Sequence, residues 1–329
     1  MPTTSAGSIE RIAYSHPSST APPAPAALQL HPEDLLWSGL SFSVLSEEEL
    51  ARQRAALGNR AHLHRGVWWE QARPFFCMPC APLARLDQSL AWPALRHSLL
   101  GFTHLALPGT PANGRRQMIA AENVSRYSIA TLSRKRRSLV RKALSYLQIR
   151  PIERLDDLLN DGYGVYVSWH QRNGWGRDRS GRAAYSAWIT RAYSQPRRLS
   201  IGVYRGDRLV AFSLTLAVGN VVEPSFLASH TDALDFLPND ALFHAILCIS
   251  RQTPGIDSVD FGPVAAKPTL NEFKLHYATL KSIPSYTWVN PLLRPLFARW
   301  TRHRYPWLHL PGATESPKAL ATESLDSVS

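Results

Sequence analysis

Two cysteines, Cys77 and Cys80, have the CxxC spacing that binds zinc or forms a redox-active disulfide. Zinc needs four ligands, and only His62 and His64 lie close enough in the sequence to help complete such a site. A redox pair opens a helix after a strand, whereas Pro79 inside this motif favours an extended chain. We therefore expect no metal site and no redox chemistry at these cysteines.

A basic segment between residues 134 and 142 is the strongest charge feature of the chain. Its six cations are Arg134, Lys135, Arg136, Arg137, Arg141 and Lys142. No acid stands among them, and like charges at helical spacing repel one another. Either the segment is a solvated helix face, or it binds an anionic partner such as nucleic acid, aminoacyl-tRNA or an acidic membrane surface. The formal net charge of +12 favours such partners without choosing among them.

Histidines are the remaining candidates for proton transfer. His170 and His230 could act as general bases, although an isolated histidine more often has a structural role. The sequence contains no recognisable triad of nucleophile, histidine and acid. Any group transfer would therefore depend mainly on how the substrates are positioned.

The composition is that of a folded protein. With 44% hydrophobic and 19% charged residues among 329, the chain is globular and long enough for two domains. Three cysteines are too few for a disulfide framework and favour a reducing compartment. We find neither a signal peptide in the first 30 residues nor an apolar run long enough to cross a bilayer. We expect a cytoplasmic protein that is at most peripheral to the inner membrane.

The N-terminal part is predicted to contain a leader and a small mixed α/β unit. Residues 1–30 are rich in Pro, Ala, Ser and Thr and cannot bury enough apolar surface to fold. Residues 31–130 form the α/β unit, in which Ser46 and Glu49 form a capping box that starts a helix. Its other predicted elements are strands at 66–69 and 74–78, and a helix followed by a strand within 92–107.

Residues 131–290 have a clearer order of elements. Helices are predicted at 131–147, 155–169 and 183–195. An antiparallel meander over 199–229 turns at Gly206-Asp207 and at Gly219-Asn220. The remaining predicted elements are a helix at 238–251, a strand at 258–261, a short helix opened by a capping box of Thr269 and Glu272, and a strand at 280–289. A mixed sheet with helices on both faces fits this order.

Motifs along this order resemble FemAB-like acyltransferases of the GNAT superfamily. They are Val140-Arg141-Lys142-Ala143, Arg172-Asn173-Gly174, Leu237-Pro238-Asn239, Asp260-Phe261-Gly262 and Phe273-Lys274. None is specific alone, but their order over residues 131–290 is jointly specific. The resemblance implies a GNAT fold in an α/β chain. By analogy, residues 31–130 would be the diverged first unit of a tandem pair, and residues 291–329 a basic, aromatic segment and tail.

The resemblance also implies an enzyme that acylates an amine. The donor would be an acyl-CoA such as acetyl-CoA, or else an aminoacyl-tRNA, because residues 232–240 lack the glycine-containing loop that binds the pyrophosphate of CoA. The acceptor would be an amine of a cell-envelope or polysaccharide precursor, and no tightly bound cofactor is expected. The alternative is a catalytically degenerate module that binds nucleic acid or an anionic membrane through the basic segment.

Candidate site residues follow from the same resemblance. Lys274 would offset negative charge that develops in the transition state, and Phe273 would lie beside the reacting groups. Asp260 would accept the amine proton or hold Lys274, although it could simply end a strand. Arg172 would bind a phosphate or carboxylate near the acceptor. The other substrate-binding candidates are Asn239, His230 and Arg137.

Overall fold

The computed structural model describes residues 30–87, 89–173 and 181–293. Within these ranges seven α-helices pack on one mixed sheet of 13 strands, which confirms the predicted α/β class. The helices are α1 Glu47–Ala56, α2 Arg134–Tyr146, α3 Leu155–Leu159, α4 Asp161–Arg172, α5 Gly181–Tyr193, α6 Pro238–Gln252 and α7 Pro268–Leu275. The predicted leader 1–30 and the C-terminal segment 291–329 lie outside the described residues, except for residues 30 and 291–293.

The strands follow the chain in order, and the predicted meander, its two turns and the last strand are confirmed. They are β1 Val44–Leu45, β2 Ala61–His64, β3 Val67–Arg73, β4 Phe76–Pro79, β5 Arg85–Leu86, β6 Gly101–Ala106, β7 Gly114–Glu122, β8 Gln148–Pro151, β9 Leu199–Arg205, β10 Arg208–Val218, β11 Val221–Ser229, β12 Ser258–Pro263 and β13 Thr279–Val289.

The strand order of the sheet is β2-β3-β4-β6-β13-β7-β12-β11-β10-β9-β8. The strands at its two ends are arranged in the same way. Each end has an antiparallel meander followed by a parallel pair, β4 with β6 and β11 with β12. The central strands are exchanged: β13 pairs with β6, and β7 pairs with β12. Hydrogen-bonded strands therefore cross the predicted boundary near residue 130. The division into units 31–130 and 131–290 stays a prediction.

Helices cover both faces of the C-terminal half of the sheet. Neighbouring residues of β10 point to opposite faces: Ala211 packs with the α6 side, and Phe212 packs with α4 and α5. On the α6 side Leu242 and Ile246 are fully buried, and each such side chain stabilises the fold by roughly 1.5–3 kcal/mol. Among the described residues, none of the helices has the length and apolarity that crossing a bilayer requires.

The prediction of a single helix at 155–169 is wrong, because the helix is interrupted at Asn160. The backbone of this residue (φ −94°, ψ −84°) leaves the helical region and separates α3 from α4. The hydroxyl of Tyr185 donates to the carbonyl oxygen of Leu158 at 2.9 Å, just before the break. A packing contact with α5 therefore replaces part of the helical hydrogen bonding.

The helix predicted within 92–107 is reduced to a 3-10 turn, Leu95–His97. Pro93 precedes this turn and cannot donate a helical hydrogen bond. The chain then enters β6 at Gly101 with φ +153°, which stops any continuation of the turn. The strand predicted in the same segment is confirmed as β6.

One predicted capping box is confirmed and the other is wrong. The amide of Glu49 donates to Ser46 Oγ at 3.2 Å, and Ser46 N donates back to the Glu49 carboxylate at 2.8 Å. At α7, however, the N-cap is Lys267 and makes no side-chain cap. Pro268 takes the first helical position, which suits its fixed φ and missing N–H. Thr269 therefore lies inside the first turn and cannot cap it.

The basic segment forms α2, and two of its cations have counter-charges from other parts of the chain. Arg136 Nη1 lies 2.6 Å from Asp240 Oδ1 on α6, and Arg141 Nε lies 2.7 Å from Glu33 Oε1. Both acids come from segments far from α2 in the sequence. These ion pairs tie α2 to α6 and to the chain before β1.

Candidate functional site

The parallel strands β11 and β12 pair only at their first residues. Val221 pairs with Ser258 and Val222 with Val259, and the pairing ends there. We call the opening beyond these pairs the strand gap. In β11, Thr215 of the neighbouring strand pairs with Pro224 while Leu214 pairs with Phe226. Ser225 is therefore the extra residue of a β-bulge at the strand gap, a place where strands often terminate pairing next to active sites.

Two cavities flank the strand gap. Cavity A has a volume of about 450 Å³ and is lined by the end of α4, the start of α6, α7 and β11. Cavity B has a volume of about 310 Å³ and is lined by β11, β12 and strands of the N-terminal half. Pro224, Ser225 and Phe261 line both cavities. The strand gap thus connects two chambers, a geometry that suits the meeting of two substrates.

Lys274 and Phe273 lie at cavity A, as α7 places them. Lys274 Nζ donates to the carbonyl oxygen of Phe261 at 2.7 Å, which fixes the ammonium at the edge of the strand gap. Burial lowers the pKa of Lys274, and the negative charge of Asp260 partly opposes that change. Phe273 packs edge-on against Phe243, with ring centroids 5.0 Å apart. A cation held by a backbone carbonyl can stabilise negative charge that develops beside it.

Asp260 lies on the other side of the strand gap and lines cavity B. Its side chain is buried, and Oδ1 accepts a hydrogen bond from Gly262 N at 2.8 Å. Burial raises the pKa of Asp260 to about 6, with the negative Glu223 adding to the shift while Gly262, Lys274 and Arg116 oppose it. A carboxylate with such a pKa can accept a proton near neutral pH.

Arg172 and Asn239 are two further polar residues that line cavity A. The guanidinium of Arg172 donates to Ser229 O at 3.0 Å, to Ser229 Oγ at 3.2 Å and to Thr231 Oγ1 at 3.1 Å. These partners are neutral, and no carboxylate within the described ranges forms an ion pair with it. Asn239, in the first turn of α6, buries an Oδ1 atom that has no hydrogen-bond partner among the described residues. Among the described residues, Arg172 therefore has only neutral hydrogen-bond partners at cavity A.

Two predicted substrate-binding residues do not line either cavity. His230 Nδ1 lies 2.6 Å from Asp232 Oδ1, so this histidine is paired beside the 3-10 turn that precedes α6. Arg137 lies on α2 and is half-buried. His170, the other candidate base, packs against Tyr166 with ring centroids 4.3 Å apart. Binding roles for His230 and Arg137 stay predictions.

A group of buried charges at cavity B was missed by the sequence analysis. Arg54 Nη2 lies 3.2 and 3.1 Å from the two carboxylate oxygens of Glu223, and Arg54 Nε lies 3.8 Å from Glu70 Oε2. Burial raises the pKa of Glu70. The sequence carried no local signal for this group, because Glu70 lies outside the strand predicted at 66–69 and its partners are far away in the chain.

The CxxC cysteines behave as core residues. Cys77 packs with Trp69 and Phe102, while Cys80 packs with Leu45 in a separate cluster. Burial raises the pKa of each thiol to about 12, so neither is a reactive thiolate. Both thiols are free. These contacts favour a packing role.

A second group of possible metal ligands lies between α6 and the chain before β1. Asp34, His244 and Cys248 are buried, with ligand atoms within 4.8 Å of one another. Asp34 already accepts hydrogen bonds from Ile129 N at 2.7 Å and from Ser128 Oγ at 2.8 Å. Burial lowers the pKa of His244 to about 4, so it is neutral. Asp34 is therefore held by hydrogen bonds to Ser128 and Ile129, which favours a structural role for the group.

Residues 127–275 match the family model of the acetyltransferase (GNAT) domain. The chain contains a GNAT-type acyltransferase domain. The matched residues include the strand gap and most of the lining of cavity A, with both Lys274 and Arg172. The general reaction of this GNAT domain is the transfer of an acyl group to an amine.

Two solved structures resemble the protein well beyond the GNAT domain. FemX gives a TM-score of 0.54 at 11% identity, over 76% of this chain and 92% of FemX. The C-terminal domain of a putative lysylphosphatidylglycerol synthetase from Agrobacterium fabrum gives 0.52 at 12% identity, over 77% and 94%. At these identities the likeness concerns the fold alone. A search among curated protein sequences finds no significant match.

Proposed function

We propose that the protein transfers an acyl group from an acyl-CoA, such as acetyl-CoA, to a primary amine of a cell-envelope or polysaccharide precursor. The observation that supports this most is the joint presence of Lys274, Arg172 and Asn239 around one cavity at the strand gap. A lysylphosphatidylglycerol synthetase is, by its name, concerned with a membrane lipid, and its domain has the same fold. That neighbour favours an envelope acceptor over a soluble metabolite.

Cavity A is the proposed donor side, so Arg172 is assigned to the donor and not, as the family resemblance implies, to the acceptor. Arg172 supplies a cation whose hydrogen-bond partners are neutral, so it retains attraction for a phosphate. The N-terminus of α6 faces the same cavity through Asn239 and has no side-chain cap. Helix N-termini attract anions through their free N–H groups and dipole. Together these features could replace the glycine-containing loop that the sequence lacks.

The proposed reaction takes place in the strand gap. The neutral amine attacks the thioester carbonyl, the C–N bond forms, and the C–S bond breaks to release CoA. One proton leaves the amine nitrogen, and CoA leaves as a thiol or thiolate according to pH. Lys274 offsets the negative charge on the tetrahedral oxygen, since its ammonium is held at Phe261 O. Asp260, on the opposite side, accepts the proton from nitrogen.

Donor binding gives the first test. Thermal unfolding would be followed with acetyl-CoA, CoA and aminoacyl-tRNA added separately, and we expect stabilisation by the two CoA compounds. Acetyl transfer to candidate amines would then be followed by mass spectrometry, with Lys274→Ala as the inactive variant. Stabilisation by aminoacyl-tRNA alone would change the donor. If none of the three stabilises the protein, the proposal is wrong.

The alternative of a polyanion-binding module loses part of its basis. Two cations of the basic segment, Arg136 and Arg141, are paired with Asp240 and Glu33. Four cations of α2 remain for such a role. Salt-dependent binding of nucleic acid or anionic vesicles, without any donor binding, would favour this alternative.

A further inference from the structure

Cavity B has a lining that the GNAT domain alone does not provide. Its wall on one side comes from β11 and β12, and on the other from residues of the N-terminal half such as Met78, Leu83 and Leu105. Most of this lining is apolar. At about 310 Å³ the cavity is near the lower limit of small-molecule sites. It therefore suits a small molecule or a narrow chain end rather than a bulky group.

The charges of cavity B are not equally satisfied. Arg54 and Glu223 form a close two-oxygen contact, and Arg116 donates to Thr103 Oγ1 at 2.9 Å. Two buried atoms of these charged groups have no hydrogen-bond partner among the described residues, Glu70 Oε2 and Arg54 Nε. These two atoms lie 3.8 Å apart, too far for a hydrogen bond. A buried carboxylate oxygen in this state gains strongly from an added donor.

We propose that cavity B is the acceptor subsite of the transfer reaction, and that Glu70 and Asp260 bind the narrow, amine-bearing end of the acceptor, which arrives as a primary ammonium ion. An ammonium ion has three hydrogen-bond donors and no acceptor, so it complements the two carboxylates of Glu70 and Asp260. This inference rests on the proposed function, because it assigns the second substrate of the same strand gap.

The position of Asp260 connects binding with transfer. Asp260 faces cavity B, and the carbonyl of the next residue, Phe261, holds Lys274 on the donor side. An amine at Asp260 is therefore next to the place where an acyl carbonyl would lie. The bound ammonium first loses one proton to water, and the neutral amine then forms the C–N bond with its free electron pair. The second proton passes from the nitrogen to Asp260 as the C–S bond breaks. Glu70 takes no part in this step and acts on specificity.

The inference also gives the N-terminal half a role. Glu70 and Arg54 come from β3 and α1, whereas the donor-side residues come from the GNAT domain. The acyl donor and the acceptor are then recognised by different halves of the chain. Changes in the N-terminal half would alter acceptor choice and leave donor binding in place.

Steady-state kinetics with acetyl-CoA and two matched acceptor panels test the proposal. The first panel is n-propylamine and n-butylamine, and the second is β-alanine and γ-aminobutyrate, which add a carboxylate to the same length. We expect the alkylamines to be preferred. In Glu70→Gln the KM for n-butylamine should rise roughly tenfold, as loss of a charged hydrogen bond implies, while the KM for acetyl-CoA stays unchanged. Glu48→Gln, an exposed acid on α1, should change neither.

Three outcomes would overturn the inference: an unchanged amine KM in Glu70→Gln, an equal rise in both KM values, or a preference for the amino acids. Thermal stabilisation of the wild type by n-butylamine but not by n-butanol tests cavity B without any turnover. If Glu70→Gln fails to fold, this measurement decides. Failure of acetyl-CoA to bind would instead count against the proposed function, whatever the amine does.

Discussion

The sheet contains two parallel strand pairs in mirrored positions, and only one of them is open. In the N-terminal half, Phe76 pairs with Gly101 and Cys77 with Phe102, after which β5 continues the pairing with β6. In the C-terminal half, the pairing of β12 with β11 ends at Val259. No other strand of the described chain pairs with that edge of β12 beyond this residue. The same arrangement of strands thus yields a closed pair in one half and an open gap flanked by two cavities in the other.

Aromatic packing closes the N-terminal pair. Phe102 contacts Trp92 and Trp288, with ring centroids 4.9 and 5.9 Å apart, and Trp69 at 6.0 Å. At Gly101 an added Cβ would lie 2.3 Å from the carbonyl oxygen of Trp288. Close packing of this kind stabilises the fold but leaves no space for a substrate. The comparison teaches that packing in the gap, rather than strand order, decides which half can hold substrates.

Substitution in the closed pair should give the largest effect, and on stability alone. In Gly101→Ala the added methyl group meets Trp288 O, and φ is +153°, so we expect a loss of about 4 kcal/mol or more in the free energy of unfolding. Urea denaturation measures this loss. Gly39→Ala is the control, since no atom lies within 4 Å of its Cβ position. A loss below about 1 kcal/mol would show that the closed pair tolerates expansion.

Substitution in the open gap should act on the reaction. Lys274→Ala removes the ammonium at Phe261 O, and we expect kcat to fall roughly 100-fold, about 2.7 kcal/mol. Acetyl transfer at saturating substrates measures it. Lys281→Ala is a matched control because this lysine pairs with Glu122 on the surface. An unchanged kcat in Lys274→Ala would leave the open gap without its proposed electrostatic role.

A smaller effect is expected at the far end of cavity A. Arg172→Ala removes the cation proposed for the donor phosphates, and the KM for acetyl-CoA should rise about tenfold, or 1.4 kcal/mol. The amine KM should not change. Arg52→Ala, which removes an exposed cation of α1, serves as the control for net charge. A rise in the amine KM alone would reverse the donor and acceptor sides.

Local patterns in the sequence predicted much of the fold. The capping box at Ser46, the turn at Gly206-Asp207 and the apolar stripe of α2 each depend on residues close in the chain. These predictions succeeded because local hydrogen bonding and periodicity determine such features.

Features that depend on distant residues were not predictable in this way. Glu70 and Glu223 meet Arg54 only because the sheet brings β3, β11 and α1 together. The exchange of β7 and β13 between the two halves has no local pattern at all. The partners of α2, Asp240 and Glu33, were missed for the same reason. Long-range pairing decides which charges are neutralised, and a single sequence contains no direct record of it.

The last predicted effect concerns pH, and it distinguishes Asp260 in the open gap from its counterpart in the closed pair. The residue after the second paired position is Asp260 in the open gap and Thr103 in the closed pair. Thr103 Oγ1 lies 2.9 Å from Thr287 Oγ1 and also accepts from Arg116, so its hydroxyl is satisfied and does not titrate. Asp260 instead has a pKa raised by burial from 3.8 to about 6.

The sign of this pH effect follows from proton binding. Between pH 4 and pH 6 folded Asp260 holds more proton than the unfolded chain does, so its contribution makes the protein less stable as the pH rises through this window. Asp260→Asn removes that contribution, and the variant should gain stability relative to the wild type from pH 4.5 to pH 7. Urea denaturation at both pH values measures the difference. Because Glu70 titrates in both proteins, only the difference between them reports on Asp260. A difference that is the same at both pH values would mean that Asp260 is solvated, and the open gap would then lack the buried base that distinguishes it from the closed pair.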